Sequence, residues 1–265
     1  MALRSANITV MVQAAHKAAR HLVRDFGEVE NLQVSLKGPG DFVSAADRRA
    51  EQILRQELTK ARPGFGLLLE ESGEVAGRDE GHRWIVDPLD GTTNFLHGLP
   101  HFSISVALER RGELVAGVIY DPIKDELFAA EKGAGAYLND RRIRVSRRGD
   151  LANCLIGTGI PVLDWPGREK GFARQLESVS DHVAGIRRIG TASLDLAYVA
   201  AGRLDGFWEY GLKPWDMAAG IVLVREAGGL VSRMEGDDDL LAPGTLVASN
   251  ATVHAKLAEL LRVDL

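Results

Sequence analysis

Apolar residues recur at helical spacing over residues 6–26 with no proline to interrupt them, which predicts an amphipathic helix. A Gly-Pro-Gly loop at 38–40 follows, then a short extended piece at 41–44. Residues 45–61 form a second helix that ends before Pro63. Residues 66–70 and 83–87 read as two buried strands, each ending in an acidic residue. The apolar runs 102–109 and 114–120 flank Arg110-Arg111-Gly112-Glu113 and predict a hairpin. Short strands at 127–130, 135–138 and 142–145 continue this antiparallel region. A second half begins at 151–157. There, strands near 185–189, 206–209, 229–231 and 245–248 alternate with helices near 170–180, 193–201, 216–227 and 251–261. With no internal repeat, low-complexity tract or clear linker, the expectation is one domain over 1–265. Its class is α/β (α+β), layered, with a mixed or antiparallel sheet in the first half and a second sheet in the C-terminal half.

Composition narrows the function. The 265 residues are 45% hydrophobic and 26% charged, enough to bury a large core without disulfides. The single cysteine, Cys154, excludes an intrachain disulfide and fits a reducing cytoplasm. It lies in an apolar run and reads as a core residue. The first twenty residues show neither the apolar core nor the cleavage site of a signal peptide. No run approaches the roughly 20 apolar residues of a membrane span. A net charge of -5 argues against general nucleic-acid binding. An anionic substrate would then need local cations, and metal ions are the obvious supply.

The run Trp84-Ile85-Val86-Asp87-Pro88-Leu89-Asp90-Gly91-Thr92-Thr93-Asn94-Phe95 carries the main signal. A buried strand delivers Asp87 at its end, and Pro88, lacking an N–H, is expected to stop ladder pairing there. Asp87 and Asp90 are close enough to repel unless a cation lies between them. Hard divalent ions such as Mg2+ take oxygen ligands, so both carboxylates and the Leu89 carbonyl are candidates. If Gly91-Thr92-Thr93 opens a helical turn, its N–H groups cradle an anion beside the metals. The same run also reads as a plain turn capped by Asp90.

Three further pieces are weaker alone. Glu70-Glu71-Ser72-Gly73 ends an apolar strand and reads either as solvated charge or as buried carboxylate that a metal would relieve. In Lys213-Pro214-Trp215-Asp216, the aspartate sits where a helix should start, as an N-cap or as a cap with one oxygen for a cation. Asp41 to Asp47 reads as a strand end and the acidic first turn of a helix.

Together these pieces resemble the inositol monophosphatase family of metal-dependent phosphatases. The resemblance rests on Asp-x-Val-Ser-x-x-Asp at 41–47, Glu-Glu-Ser-Gly at 70–73 and Asp-Pro-Leu-Asp-Gly-Thr-Thr-Asn-Phe at 87–95. Ile-Gly-Thr-Ala-Ser at 189–193 and Trp-Asp-x-Ala-Ala-Gly at 215–220 complete it, in order and spacing, over about residues 37–230. Gly-Leu-Lys-Pro-Trp-Asp and Asp-Leu-Ala-Tyr-Val-Ala-Ala-Gly look like the bacterial inositol-1-monophosphatase branch.

The resemblance implies an α/β/α/β/α sandwich, usually a homodimer, with two or three Mg2+ ions per site. Glu70, Asp87 and the Leu89 carbonyl match ligands of the first metal, and Asp87, Asp90 and Asp216 those of the second. Thr92, backed by Glu70 and Asp47, matches the group that orients the attacking water. Gly91, Thr92 and Thr93 match the phosphate cradle. Ala192, Glu209, Asp90 and Asp216 match contacts to substrate hydroxyls, and Arg187 matches a position near the substrate in bacterial members. Lys37 matches a lysine that helps organise a further metal. Ser193 replaces a common alanine and is expected to adjust specificity. Lithium inhibition is implied as well.

The expected reaction is hydrolysis of inositol monophosphate by a metal-activated water, with no phosphoenzyme. Glu70, Asp87, Asp90 and Asp216 carry four negative charges, which two Mg2+ ions would balance. Histidinol phosphate, adenosine bisphosphate, fructose bisphosphate and a dinucleotide phosphate are rival substrates. The basic run 141–148 reads as a solvated strand face, with docking of RNA or an acidic partner as the alternative. His97 and His101 read as surface-loop residues, and Asp237-Asp238-Asp239 as a polar turn.

Overall fold

Helix α1 (Ala6–Phe26) starts at Ser5, whose Oγ accepts the Ile8 N–H at 3.2 Å, and it buries Ile8, Met11, Ala15, Ala18 and Leu22 along one stripe. The structure is a computed structural model describing residues 5–28, 34–38, 41–161, 171–234, 239–242 and 245–262. A ribbon of β1 (Val34–Gly38) and β2 (Asp41–Ser44) leads into α2 (Ala45–Ala61). Ser44 caps α2 by accepting the Ala46 N–H at 3.1 Å, while Asp47, three residues on, accepts the Ser44 N–H at 2.9 Å.

Eight strands form the first sheet: β3 (Phe65–Leu69), β4 (Gly73–Val75), β5 (Asp79–Asp90), β6 (Ser103–Arg110), β7 (Glu113–Asp121), β8 (Glu126–Glu131), β9 (Gly135–Leu138) and β10 (Arg141–Ile143). Their order is β10-β9-β8-β7-β6-β5-β3-β4, and only β3 and β5 pair in parallel. The short helix α3 (Thr92–Leu96) lies between β5 and β6. Pro88 does not end the ladder. Pairing runs Asp87↔Ser105 and resumes at Asp90↔Ser103, so one extra residue is taken up as a bulge. The missing proline N–H falls inside that bulge.

After a 3-10 turn at Leu151–Asn153 come β11 (Leu155–Thr158), α4 (Gly171–Ser180), β12 (Gly185–Arg187), α5 (Ala192–Ala200) and β13 (Gly206–Tyr210). The chain ends with α6 (Pro214–Glu226), β14 (Gly229–Arg233), β15 (Thr245–Asn250) and α7 (His254–Leu260). The second sheet has the order β12-β11-β13-β15-β14. Two expected helix starts move. Helix α6 begins at Pro214, where a proline needs no N–H acceptor. Helix α7 begins only at His254, because the Asn250 side chain accepts the Thr252 and Val253 N–H groups and holds 250–253 as a turn.

Three cores define the layers. One lies between α1/α2 and the first sheet. The second joins the other face of that sheet, through Ile85, Ile119 and Phe128, to α5 and α6, and reaches Phe207 and Leu246 of the second sheet. The third joins Ile156, Trp208 and Val247 to Val179 of α4 and Leu257 of α7. This is the expected α/β/α/β/α sandwich. Covered on both sides, α5 and α6 are apolar all round, with Met217 to Val224 buried without exception. Close approach tightens the middle layer. A Cβ on Gly117 of β7 would lie 2.5 Å from the Ala219 carbonyl oxygen of α6. Among the described residues no helix is long and apolar enough to cross a membrane. Cys154 is free and buried, and burial pushes its thiol up to about 11.

Candidate active site

The bulge at the end of β5 turns Asp87 into the gap between the two halves. Asp87 is 2% exposed, and its Oδ1 accepts the Leu89 N–H at 2.9 Å. Glu70, which follows β3, is one of the charges that act on it. Burial, then the charges of Glu70, Asp90 and Asp216, hold Asp87 well above the usual carboxylate range. Burial, then the charges of Asp90, Glu70 and Glu209, lift Asp216 well up, and burial raises Asp90 to about 6 against the hydrogen bonds from Ser193. Four acidic side chains from three separate stretches of the chain therefore act on one another at one place, Asp87 buried and Glu70, Asp90 and Asp216 partly so.

Each aspartate is aimed by its surroundings. Asp216 is not the N-cap of α6. It lies in the first turn and accepts the Lys213 N–H at 2.7 Å. Asp90 does not cap its own turn either, because the N-cap of α3 is Gly91. Instead Asp90 Oδ2 crosses to the second half, where it accepts the Ser193 N–H at 2.7 Å and the Ser193 hydroxyl at 2.5 Å. Ser193 is fully buried and its Oγ lies 2.7 Å from Ser103 Oγ. Ser193, expected to adjust specificity, uses its hydroxyl to hold Asp90.

Thr92 opens α3. Its hydroxyl lies 3.0 Å from Asp47 Oδ1 and 3.0 Å from the Leu89 carbonyl. One proton is committed to those acceptors, which leaves the oxygen's lone pairs to accept from a water. Asp47 also accepts the Ser44 hydroxyl, and burial raises its pKa against these bonds. Gly91 has φ +95°, and a Cβ there would lie 2.6 Å from Thr191 Oγ1 and 3.2 Å from the His101 carbonyl. No other residue fits that corner without strain. Helix geometry leaves the first N–H groups of α3 without intrahelical acceptors, beside the carboxylates.

On the far wall, the Glu209 carboxyl lies over the backbone of Gly159, whose Cβ, were it present, would sit 1.8 Å from it. Burial, with Asp195 and Asp90 adding to it, pushes Glu209 up to about 8, and Arg188 opposes that shift. Ala192 is buried at the start of α5, and its N–H acts on Asp90. Arg187 is not brought into the cluster. It is exposed, and its Nη1 donates to the Ile186 carbonyl at 2.9 Å. The arginine whose charge acts on Glu209 and Asp195 is Arg188, because successive residues at a strand end point to opposite sides. Thr93 is exposed at the outer edge of the cradle. The Lys37 side chain lies outside the described residues.

Three residues escaped the sequence reading. Asn94 Nδ2 donates to the His101 and Ile189 carbonyls, both at 2.9 Å, tying the cradle to the loop before α5. Asp195 is buried in α5 with Oδ1 unpartnered, and burial raises it well above its usual value. Its one signal was an acid inside an otherwise apolar helix. Glu51 is buried on α2, one turn after Asp47. Helical spacing from Asp47 was available to find it.

The family model described as the inositol monophosphatase family matches residues 4–263. The chain belongs to the inositol monophosphatase family. A protein of Mesorhizobium japonicum named inositol-1-monophosphatase is 59% identical over 262 residues, covering 99% of this chain and 98% of its own length. A Pseudomonas aeruginosa protein named Nus factor SuhB is 46% identical, covering 92% and 91%. The crystal structure of extragenic suppressor protein suhB from Bartonella henselae superposes with a TM-score of 0.95 at 59% identity, covering 98% of this chain and 100% of that one. Inositol monophosphatase family enzymes are phosphoric monoester hydrolases and generally metal-dependent, and this chain is such a hydrolase.

Proposed function

We propose that the protein hydrolyses a small polyol phosphate, inositol monophosphate before others, with two or three Mg2+ ions, as a cytoplasmic homodimer sensitive to lithium. The observation that carries this reading is the meeting of Glu70, Asp87, Asp90 and Asp216 beside the first turn of α3. Dimer, compartment, ion count and lithium sensitivity are carried over from the family resemblance.

Among the described residues no three side chains are already drawn into ligating geometry. Asp87, Asp90 and Asp216 each keep an oxygen on a protein donor. The donor set still fits a hard cation. It is all oxygen, it is half-buried or better, and its charges raise one another's pKa values, which is a cost that bound cations remove. Glu70, Asp87, Asp90, Asp216 and the Leu89 carbonyl would hold the ions. Bound there, they would supply an acidified water and screen the charge on the ester.

The rest of the work falls to the chain's own groups. The Thr92 hydroxyl, its proton held by Asp47 or Leu89, accepts a hydrogen of the attacking water and sets its direction. The amides of Gly91, Thr92 and Thr93 bind phosphate oxygens. Glu209 and the Ala192 N–H face the polyol, and Arg188, replacing Arg187, adds the positive charge on that wall. Steady-state rates on a panel of inositol, histidinol, adenosine and sugar phosphates, with and without Mg2+, test the reading. Inositol monophosphate should lead in kcat/KM and every rate should fall without metal. A panel led by another ester overturns the substrate choice.

A second reading, contact with RNA, is favoured by the relative named Nus factor SuhB and by exposed Arg141, Arg142, Arg144 and Arg147. Arg148 does not belong to that set, because it is paired with Asp205 at 3.0 Å. RNA binding at physiological salt, weakened when Arg141, Arg142 and Arg147 become serine, would support it, and no measurable binding would remove it.

A further inference from the structure

Helix α2 reaches the site twice. Asp47 receives Thr92, and four residues later on the same face Glu51 receives the loop that carries Glu70. The Glu51 carboxyl is 5% exposed. Its Oε2 accepts the Glu71 N–H at 2.7 Å, and its Oε1 accepts the Ser72 hydroxyl at 2.5 Å. The Glu71 N–H belongs to the peptide that leaves Glu70. On the other side, the Glu70 N–H donates to the Val86 carbonyl at 3.2 Å. The backbone of Glu70 is therefore pinned on both sides, by the sheet before it and by Glu51 after it.

A carboxylate is costly to bury. It persists where its hydrogen bonds do something an apolar side chain cannot. Residues 70–72 form a turn, so beyond the Glu70 N–H bond to Val86 the path of the chain is set by the bonds of the turn itself. We propose that Glu51 is a positioning residue for the metal site: it fixes the turn after β3 so that the Glu70 carboxylate faces Asp87 and the cations. Helix α2 thus sets two geometries at once, the water-orienting Thr92 through Asp47 and the metal ligand Glu70 through Glu51. The inference rests on Glu70 being a metal ligand.

The test is direct Mn2+ binding, followed by electron paramagnetic resonance, on the full-length protein. Glu51→Leu should raise the dissociation constant about 10–100-fold, the usual effect of losing an outer-shell partner of a ligand. Glu51→Gln should recover most of the affinity, because its amide oxygen can accept the Glu71 N–H and its NH2 can donate to Ser72. Ser72→Ala, at an exposed position that leaves the fold undisturbed, removes one of the two bonds and should weaken binding by about threefold. The turnover number at saturating metal should change far less than the metal requirement in all three. Wild-type-like Mn2+ affinity in a folded Glu51→Leu protein, or in Ser72→Ala if the leucine variant does not fold, overturns the proposal. A wild-type protein that takes up no Mn2+ overturns the metal reading itself, and this inference with it.

Discussion

Asp90→Asn should lower kcat by about a thousandfold or more, the scale expected when a cation's stabilisation of the transition state is lost. The substitution is isosteric. The amide oxygen can take over the hydrogen bonds from the Ser193 N–H and hydroxyl, so the contact between the two halves survives. The amide NH2 then points to the place where a negative oxygen is needed. Without metal, the variant also removes one charge from a pocket that already raises Asp87 and Asp216 well above their usual values. Its melting temperature in chelator should therefore equal or exceed that of the wild type. Activity and thermal unfolding measured on the same preparation separate the two effects. A folded variant with near-normal turnover would refute the catalytic scheme.

The second large effect concerns metal removal. In chelator the protein should lose stability as pH rises from about 4 to about 8, and Mg2+ should abolish most of that loss. An acid whose folded-state pKa lies above its unfolded value binds its proton more tightly when folded. Its contribution to stability is fully present below the unfolded value and disappears as pH rises through the folded one. That folded value is about 6 for Asp90 and about 8 for Glu209, and Asp87 and Asp216 are shifted in the same direction. One pKa unit corresponds to about 1.4 kcal/mol, so the summed loss reaches several kcal/mol. For a chain of this size that is roughly 10 °C in Tm. Bound cations reverse the preference by favouring the ionised carboxylates, so binding should release protons. Scanning calorimetry at several pH values, with chelator and with Mg2+, reads the stability. Identical pH profiles in the two conditions would show that these carboxylates do not serve a cation.

Local pattern was enough for most of the elements. The amphipathic spacing of α1, the helix at 45–61 and the hairpin of β6 and β7 all form where apolar period and turn residues place them. The motif chemistry was equally local. Two aspartates three residues apart after a buried strand, with Gly91 and two threonines beyond, imply a metal beside an anion cradle wherever the chain goes next. What failed was anything set by a partner distant in sequence. Pro88 does not break its ladder, because a bulge against Ser103 and Ser105 absorbs it. Arg187 stays exposed on the Ile186 carbonyl while its neighbour Arg188 is the arginine that acts on Glu209, a choice that depends on how β12 sits on β11.

The amino-acid order by itself determined most helices and strands, the acidic candidate residues and the family of the chain, because these depend on periodicity and on runs of adjacent residues. Only the tertiary structure decided what each side chain is for. Asp90 serves the far half through Ser193, Asp47 holds Thr92, and Glu51 holds the turn after Glu70. A hydrogen bond depends on distance and angle between atoms that folding alone brings together, and no spacing along the chain encodes it.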